Sequence, residues 1–311
     1  MKVALFGGTG FVGCYLVDAL LAHGHQPVVL VRPGSEGKVE RGDACELVAG
    51  TIAEPEAVRH TVAGADAAIY AIGILKEVPR RGITFAALHF EGARRAMEAA
   101  TAAGVKRFLL MSANGVKADG TTYQRTKLQA EQALQASGLA WTIFRPSVIF
   151  GEPRGRMEFV TQLYHQIVAR PIPAPLFYTG LWPSGAGATL LSPIHVHDVA
   201  ELFVRSLARP DAVGQILPLG SARALSWKEI LQTIGRATHR RVVGLPTPAA
   251  AVRAVARLLD PLDLLPVTAD QITMLMEGNT CDATALLATY GIEPIPFDDP
   301  HLAYLTVGAH S

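Results

Sequence analysis

The amino terminus reads KVALFGGTGFVG, in which the apolar run Val3, Ala4, Leu5 and Phe6 enters Gly7, Gly10 and Gly13 directly. Phe11, Val12, Tyr15, Leu16, Ala19 and Leu20 then recur at helical spacing. A strand that becomes a helix through glycines in this order limits the fold more than any other feature of the chain. Gly7 suits the tight turn, Gly10 lets the backbone come close to a ligand, and Gly13 allows the new helix to pack on the sheet. The free amides and positive dipole end of that helix then face the turn, which is the field a pyrophosphate requires. A dinucleotide site is therefore expected at residues 7–13.

Strand-like runs at 3–6, 27–31, 46–48, 67–71, 107–111 and 141–144 alternate with helical patterns at 11–23, 54–63, 84–103 and 121–137. Parallel neighbours need right-handed crossovers, so the expected fold class is α/β: a Rossmann-like, doubly wound parallel sheet. After Arg145-Pro146 the pattern breaks. Pro153, Pro171, Pro173, Pro175 and Pro183, with Gly180, Gly185 and Gly187, predict an irregular stretch of the kind that often covers a substrate. Strand and helix return over 190–208, another strand follows at 215–219, and helices are expected at 227–235, 249–259, 268–277 and 283–290. The domain plan is 1–150 as an NAD(P)-binding Rossmann domain, rejoined by 190–220. Residues 151–189 and 221–311 then form a smaller, mainly helical substrate or partner lobe.

Half of the 311 residues are apolar, enough for a dense core. A net charge of +1 with 18% charged residues supplies no broad basic surface, which disfavours nucleic acid as a partner. Cys14, Cys45 and Cys281 contain no C-x-x-C pair, so neither a disulfide frame nor a zinc site is indicated. The first apolar run stops at Gly7, too short for a signal-peptide core or a membrane span, and a cytoplasmic protein is the expectation. Residues 246–266 carry an apolar helical face with Arg253 and Arg257 on it or beside it. A helix packed on the second lobe is the plainer reading, with a peripheral membrane or protein contact as the alternative.

Tyr123 and Lys127 lie four residues apart at the start of a predicted helix and share one face, while Ser112 sits at the carboxyl end of the fifth strand. In an open α/β sheet that edge is the ligand side, so all three converge on the crevice reached by the glycine turn. A nearby ammonium is expected to lower the tyrosine pKa and let Tyr123 exchange a proton. Ser112 would hold a carbonyl or alcohol oxygen while a nicotinamide gives or takes hydride. A Tyr–Lys pair on a solvated helix face is the alternative reading.

These residues sit in segments that resemble the short-chain dehydrogenase/reductase superfamily, in its atypical branch, over essentially the whole chain. The marks are GGTGFVG, GVKRFLLMSANG around Ser112, YQRTKLQAE with Tyr123 and Lys127, SGLAWTIFRPSVIFG and SPIHVHDVA. Within that branch LGSARALSWKEIL and PVTADQITMLMEGN look most like proteins related to the NAD(P)H-binding accessory subunit of respiratory complex I. The resemblance implies cofactor contacts from Thr9, Phe11 and Val12, from Ala71 and Gly73 after the fourth strand, and from Pro146, Ser147, Val148 and Ile149 near the nicotinamide. It also implies Ser112, Tyr123 and Lys127 as catalytic and cofactor-binding residues. One departure concerns the long helix after the fourth strand, where enzymes of the superfamily often carry an asparagine and this chain has His89. That histidine would serve in a proton relay or simply pack against the cofactor. The complex I relatives keep the nucleotide site without being known as catalysts, so a preserved pair does not guarantee turnover.

An acidic residue closing the second strand would bind the ribose of NAD(H), but here Val31 is followed by Arg32-Pro33-Gly34-Ser35. A guanidinium suits a 2′-phosphate, with Ser35 and Lys38 as helpers, so NADP(H) is preferred. Glu36 keeps NAD(H) open. His195, His197 and Asp198 are not read as a metal site, because Asp198 opens an apolar helix. Arg80, Arg81, Arg94 and Arg95 form a locally basic patch, read as a solvated face with a subunit or anionic-partner contact as the minority view. Three functions follow in order: an oxidoreductase on a small carbonyl or alcohol substrate, a non-catalytic nucleotide-binding scaffold or assembly protein, and a nucleotide-sugar epimerase or dehydratase.

Overall fold

Val3, Ala4, Leu5 and Phe6 are all fully buried because the strand they form is covered on both faces. The computed structural model describes residues 1–259 and 268–307. In chain order it runs β1 (Lys2–Phe6), α1 (Phe11–Ala22), β2 (Gln26–Val31), β3 (Glu46–Ala49), α2 (Pro55–Val62), β4 (Ala67–Tyr70), α3 (Gly92–Ala102), β5 (Arg107–Met111), α4 (Thr122–Gln135) and β6 (Ala140–Pro146). There follow β7 (Ile149–Phe150), α5 (Phe159–Leu163), β8 (Ala174–Tyr178), β9 (Leu190–Leu191), β10 (Ile194–His195), α6 (Val196–Ser206) and β11 (Gln215–Leu219). The remainder is β12 (Leu225–Ser226), α7 (Trp227–Ala237), β13 (Gly244–Pro248), α8 (Ala249–Leu259), α9 (Ala269–Glu277), α10 (Thr284–Thr289) and α11 (Tyr304–Val307). Part of the apolar stretch 246–266, from residue 260, lies outside the described residues.

Two compact units emerge. The first joins Met1–Pro146, Val196–Pro218 and Leu287–Ile292, and the second joins Ser147–His195, Leu219–Leu286 and Glu293–Ser311. In the first, the central sheet has the order β11-β6-β5-β4-β1-β2-β3, with β1 to β6 paired in parallel. Side chains alternate across it. Ala4, Phe6, Ala68, Tyr70 and Leu110 meet Val58 and Val62 of α2 and Ala93, Ala96 and Met97 of α3. Elsewhere α1 and α6 lie together, with the Tyr15 and His197 rings 4.7 Å apart and Phe203 of α6 stacked on Phe144 of β6 at 3.9 Å. The register places the carboxyl ends side by side: Phe6 faces both Leu30 and Tyr70, Tyr70 faces Leu110, and Met111 faces Phe144.

The second unit has its own core around Phe150, Val160, Leu176, Trp227, Ile230, Leu231 and Leu302. It contains a feature absent from the sequence expectation. Within the Pro-rich stretch, β8 pairs in parallel with β13, with Gly244 opposite Ala174 and Pro248 opposite Tyr178. Pro175, Pro246 and Pro248 hide this pairing from propensity, because proline removes ladder donors and is normally read as a strand breaker. Among the described residues no helix is long and apolar enough to cross a membrane.

Candidate functional site

Gly7 adopts φ +106°, a conformation that side chains rarely tolerate. A Cβ there would also lie 2.9 Å from the Ala71 carbonyl carbon. At Gly13 a Cβ would run into the Gly7 carbonyl oxygen, so α1 reaches β1 only with glycine in place. Gly10 caps α1 without any side-chain acceptor, and the first turn holds no acid. The amides of Phe11, Val12 and Gly13, which precede the first intrahelical bond from Cys14 N–H to the Gly10 carbonyl at 3.1 Å, are therefore available to an anion. This donor set fits a pyrophosphate.

From that turn the site runs along the carboxyl edge of the first unit. The Ala71 N–H donates to the Phe6 carbonyl at 2.8 Å, which sets residues 71–74 against the glycine turn. A Cβ on Gly73 would lie 3.7 Å from Lys127 Nζ, and that ammonium donates to the Met111 carbonyl at 2.9 Å. Ser112 follows immediately. Its hydroxyl is buried, 3% exposed for the residue, and among the described residues it has no hydrogen-bond partner. Gly7, Ala71, Gly73, Lys127 and Ser112 thus form one continuous edge.

The start of α4 is set by a capping box in which the Thr121 N–H donates to Gln124 Oε1 at 2.8 Å and the Gln124 N–H returns to Thr121 Oγ1. Tyr123 and Lys127 therefore leave the first turns of a well-anchored helix. Burial draws the Lys127 ammonium down to about 8, while Glu131, one turn on, pushes it back up. Glu131 is itself buried and gripped by Arg145 of β6 through two hydrogen bonds.

The expected lowering of the Tyr123 pKa is not found. Burial pushes the phenol up to about 12, because Tyr123 is walled by the Phe85 and His89 rings at 5.6 and 5.1 Å while the ammonium points at Met111. At neutral pH the Tyr123 phenol is therefore protonated.

His89 lies in a π-helical stretch, Ala86–Glu91, that leads into α3, where the sequence predicts a regular helix. Its Nε2 accepts the Ile74 N–H at 3.1 Å, which assigns the proton to Nδ1, 3.3 Å from Thr126 Oγ1. Thr126 in turn donates to the Thr122 carbonyl at 2.9 Å. Burial, helped by Lys127, lowers the His89 pKa to about 2, so the ring is neutral at physiological pH where it bridges the 71–74 loop and α4. Phe85, stacked on it at 5.2 Å, was missed by the sequence reading. Only the i, i+4 spacing of Phe85 and His89 hinted at the pairing.

Arg32 is exposed just past β2, with no partner among the described residues, and its carbonyl closes a turn with the Ser35 N–H at 2.9 Å. Glu36 is exposed beyond it. Pro146 ends β6, its carbonyl taking the Asn114 N–H at 2.8 Å. Ser147, Val148 and Ile149 belong to the second unit. There the Ser147 hydroxyl donates to the Asn279 carbonyl at 2.8 Å, the Val148 carbonyl takes the Ile194 N–H, and Ile149 pairs with Ile194. His195 packs on Phe150 in the second unit and His197 on Tyr15 in the first. Arg94 pairs with Glu91 and Glu98, and Arg95 donates to the Ile52 carbonyl.

Two buried groups give opposite pH signatures. His89 has a folded pKa below its unfolded value of 6.5, so stability falls as pH drops below about 6.5. Glu158, capping α5 through the Val160 and Thr161 amides at 2.7 Å, is raised by burial from 4.5 to about 7, so it gains stability over the descent from pH 7 to 5. Each amounts to about 2 kcal/mol across that range, and they offset one another. Melting curves should show Glu158→Gln losing more stability on acidification than the parent, and His89→Gln losing less. Parallel slopes for all three proteins would refute the assignment.

A family model described as NAD(P)H-binding matches residues 7–170. The chain is 30% identical over 250 residues to a ceramide reductase of Caulobacter vibrioides, covering 79% of this chain and 74% of the relative. It is 23% identical over 303 residues to the mitochondrial NADH-ubiquinone oxidoreductase 40 kDa subunit of Neurospora crassa, covering 93% and 75%. Among solved structures it is similar to Thermus thermophilus UDP-glucose 4-epimerase in complex with NAD, with TM-score 0.73, 18% identity and coverage of 99% and 100%.

Proposed function

Since the chain belongs to the NAD(P)H-binding family and shares the atypical short-chain dehydrogenase/reductase plan, we propose that it is an NADP(H)-preferring oxidoreductase acting on a small apolar carbonyl or alcohol. The observation that carries this reading is the Ser112 hydroxyl, buried without a partner among the described residues and one residue beyond the carbonyl that holds Lys127. An unsatisfied buried hydroxyl costs about 1–3 kcal/mol, and a substrate oxygen would relieve it. In this reading the first unit is the nucleotide-binding domain and the second the substrate or partner lobe. Thr9, Phe11, Val12, Ala71 and Gly73 approach the dinucleotide, and Pro146 its nicotinamide end.

The reduced nicotinamide supplies hydride to the carbonyl carbon when bound. Ser112 holds the substrate oxygen, and the protonated Tyr123 hydroxyl donates its proton to that oxygen as the alcohol forms. Lys127 stabilises the phenolate left behind until solvent reprotonates it. His89 keeps the 71–74 loop at a fixed distance from α4. The ceramide reductase relative supports carbonyl chemistry on an apolar substrate. A non-catalytic scaffold is the second reading, favoured by similarity to a complex I subunit over 93% of the chain.

Substrate-dependent NADPH oxidation across ketones and aldehydes of increasing chain length tests the proposal. Intact NADPH binding without oxidation of any of them supports the scaffold. For the cofactor, Arg32→Glu should raise the NADPH dissociation constant roughly 10- to 100-fold in calorimetry and leave NADH nearly unchanged, as expected for loss of one charge-assisted phosphate contact. Equal losses for both nucleotides would remove the Arg32 assignment.

A further inference from the structure

From Phe159 to His195, and again from Ile230 to Leu259, the chain has no aspartate or glutamate, yet these segments carry Arg170, Arg236, Arg240, Arg241, Arg253 and Arg257. The fold joins them in the second unit. β8 and β13 are partners in one ribbon, and α8 continues directly from β13. At the start of the ribbon the Ala174 N–H donates to the Val243 carbonyl at 2.8 Å, which brings residues 170–173 beside 240–243. Arg236 pairs with Asp299 at 3.2 Å, whereas Arg170, Arg240, Arg241 and Arg257 are exposed and have no carboxylate partner among the described residues.

Large apolar side chains are interleaved with these cations. Ile172, Val243, Leu245 and Val255 are each more than half exposed. Val243, just before β13, and Leu245 within it are two residues apart on one face, and Leu176 covers Gly244 on the other. Beyond Tyr178, Leu181 and Trp182 reach 93% and 77% exposure in a loop, residues 179–187, without a charged residue. A scatter of single exposed aliphatics would be ordinary, but a run of them among four exposed arginines with no carboxylate partner among the described residues is not. Pro246 and Pro248 lack the donors that a further strand on β13 would use, so the ribbon is poorly suited to strand addition.

We propose that the β8–β13 ribbon, the 179–187 loop and α8 form a docking surface for an anionic lipid bilayer. The arginines meet the headgroups, while Leu181, Trp182 and the aliphatics enter the interfacial layer, where tryptophan is favoured. All of these residues lie in the second unit, so the proposal is independent of the chemistry assigned to the first.

Vesicle co-sedimentation of the full chain tests it. Binding to phosphatidylcholine vesicles containing a quarter phosphatidylglycerol should exceed binding to pure phosphatidylcholine at least tenfold and fall steeply with salt. Emission from Trp182 should shift to the blue, against a constant background from Trp141 and the buried Trp227. Each arginine near such a surface is worth about fivefold, so Arg170→Glu with Arg240→Glu and Arg241→Glu should lower partitioning by at least a hundredfold. Leu181→Ser with Trp182→Ser should weaken it without changing the salt dependence. Equal binding to neutral vesicles, no binding to either, or an unaffected arginine variant would overturn the proposal. So would complete competition by RNA with no Trp182 shift, or a vesicle-free dimer that the Leu181/Trp182 variant dissociates.

Discussion

Tyr123→Phe is expected to lower substrate-dependent NADPH oxidation by roughly 10²- to 10⁴-fold while leaving NADPH affinity within about twofold. Phenylalanine keeps the ring that packs against Phe85 and His89, so the variant removes the hydroxyl and little else. The effect is large because the hydroxyl is the proton donor to the developing alkoxide, and water in the same place is neither oriented nor desolvated. With the phenol at about 12, carbonyl reduction should be nearly independent of pH between 6 and 8, and alcohol oxidation should accelerate as pH rises. A variant with unchanged turnover would remove Tyr123 as the acid.

Gly13→Ala should abolish measurable nucleotide binding and lower the melting temperature by roughly 6–12 °C. The added methyl meets the Gly7 carbonyl oxygen and the Gly8 Cα, both backbone atoms that no rotamer change can move. Relief requires α1 to shift away from β1, which opens the packing of the fully buried Leu16 and Leu20 and displaces the anion-facing amides. Such overpacking against backbone costs about 3 kcal/mol, and a unit of this size loses about 2–4 °C per kcal/mol. Gly24→Ala is the control. That glycine has a positive φ, +71°, which Gly13 does not, but a Cβ there meets nothing within 4 Å, so only about 1 kcal/mol of conformational strain is expected. If Gly13→Ala melts no lower than Gly24→Ala and still binds NADPH, the glycine turn is not the phosphate cradle.

Much of the fold was legible because its signals are local. Each buried parallel strand is a short apolar run between turn residues, and glycines at 7, 10 and 13 announce the first crossover without reference to anything distant. The pairing of β8 with β13 was not legible. Its prolines argue against strands, and its partners are some seventy positions apart, joined by Leu176 covering Gly244. The π-helical stretch around His89 was also hidden, since the sequence pattern there is that of an ordinary helix.

The candidate site divides in the same way. Residue types and spacing placed Ser112, Tyr123 and Lys127 at one sheet edge, but their protonation states depend on how many neighbours exclude water, a quantity no spacing encodes. Thus the sequence by itself determined the glycine turn, the alternation of strands with helices and the identity of the polar residues at the carboxyl edge, all consequences of local geometry. Only the tertiary structure decided that burial raises the Tyr123 pKa instead of lowering it, that His89 bridges the 71–74 loop and α4 as a neutral ring, and that the Ser112 hydroxyl lacks a partner among the described residues. The physical reason is that burial and hydrogen-bond satisfaction are set by contacts between segments far apart in the chain.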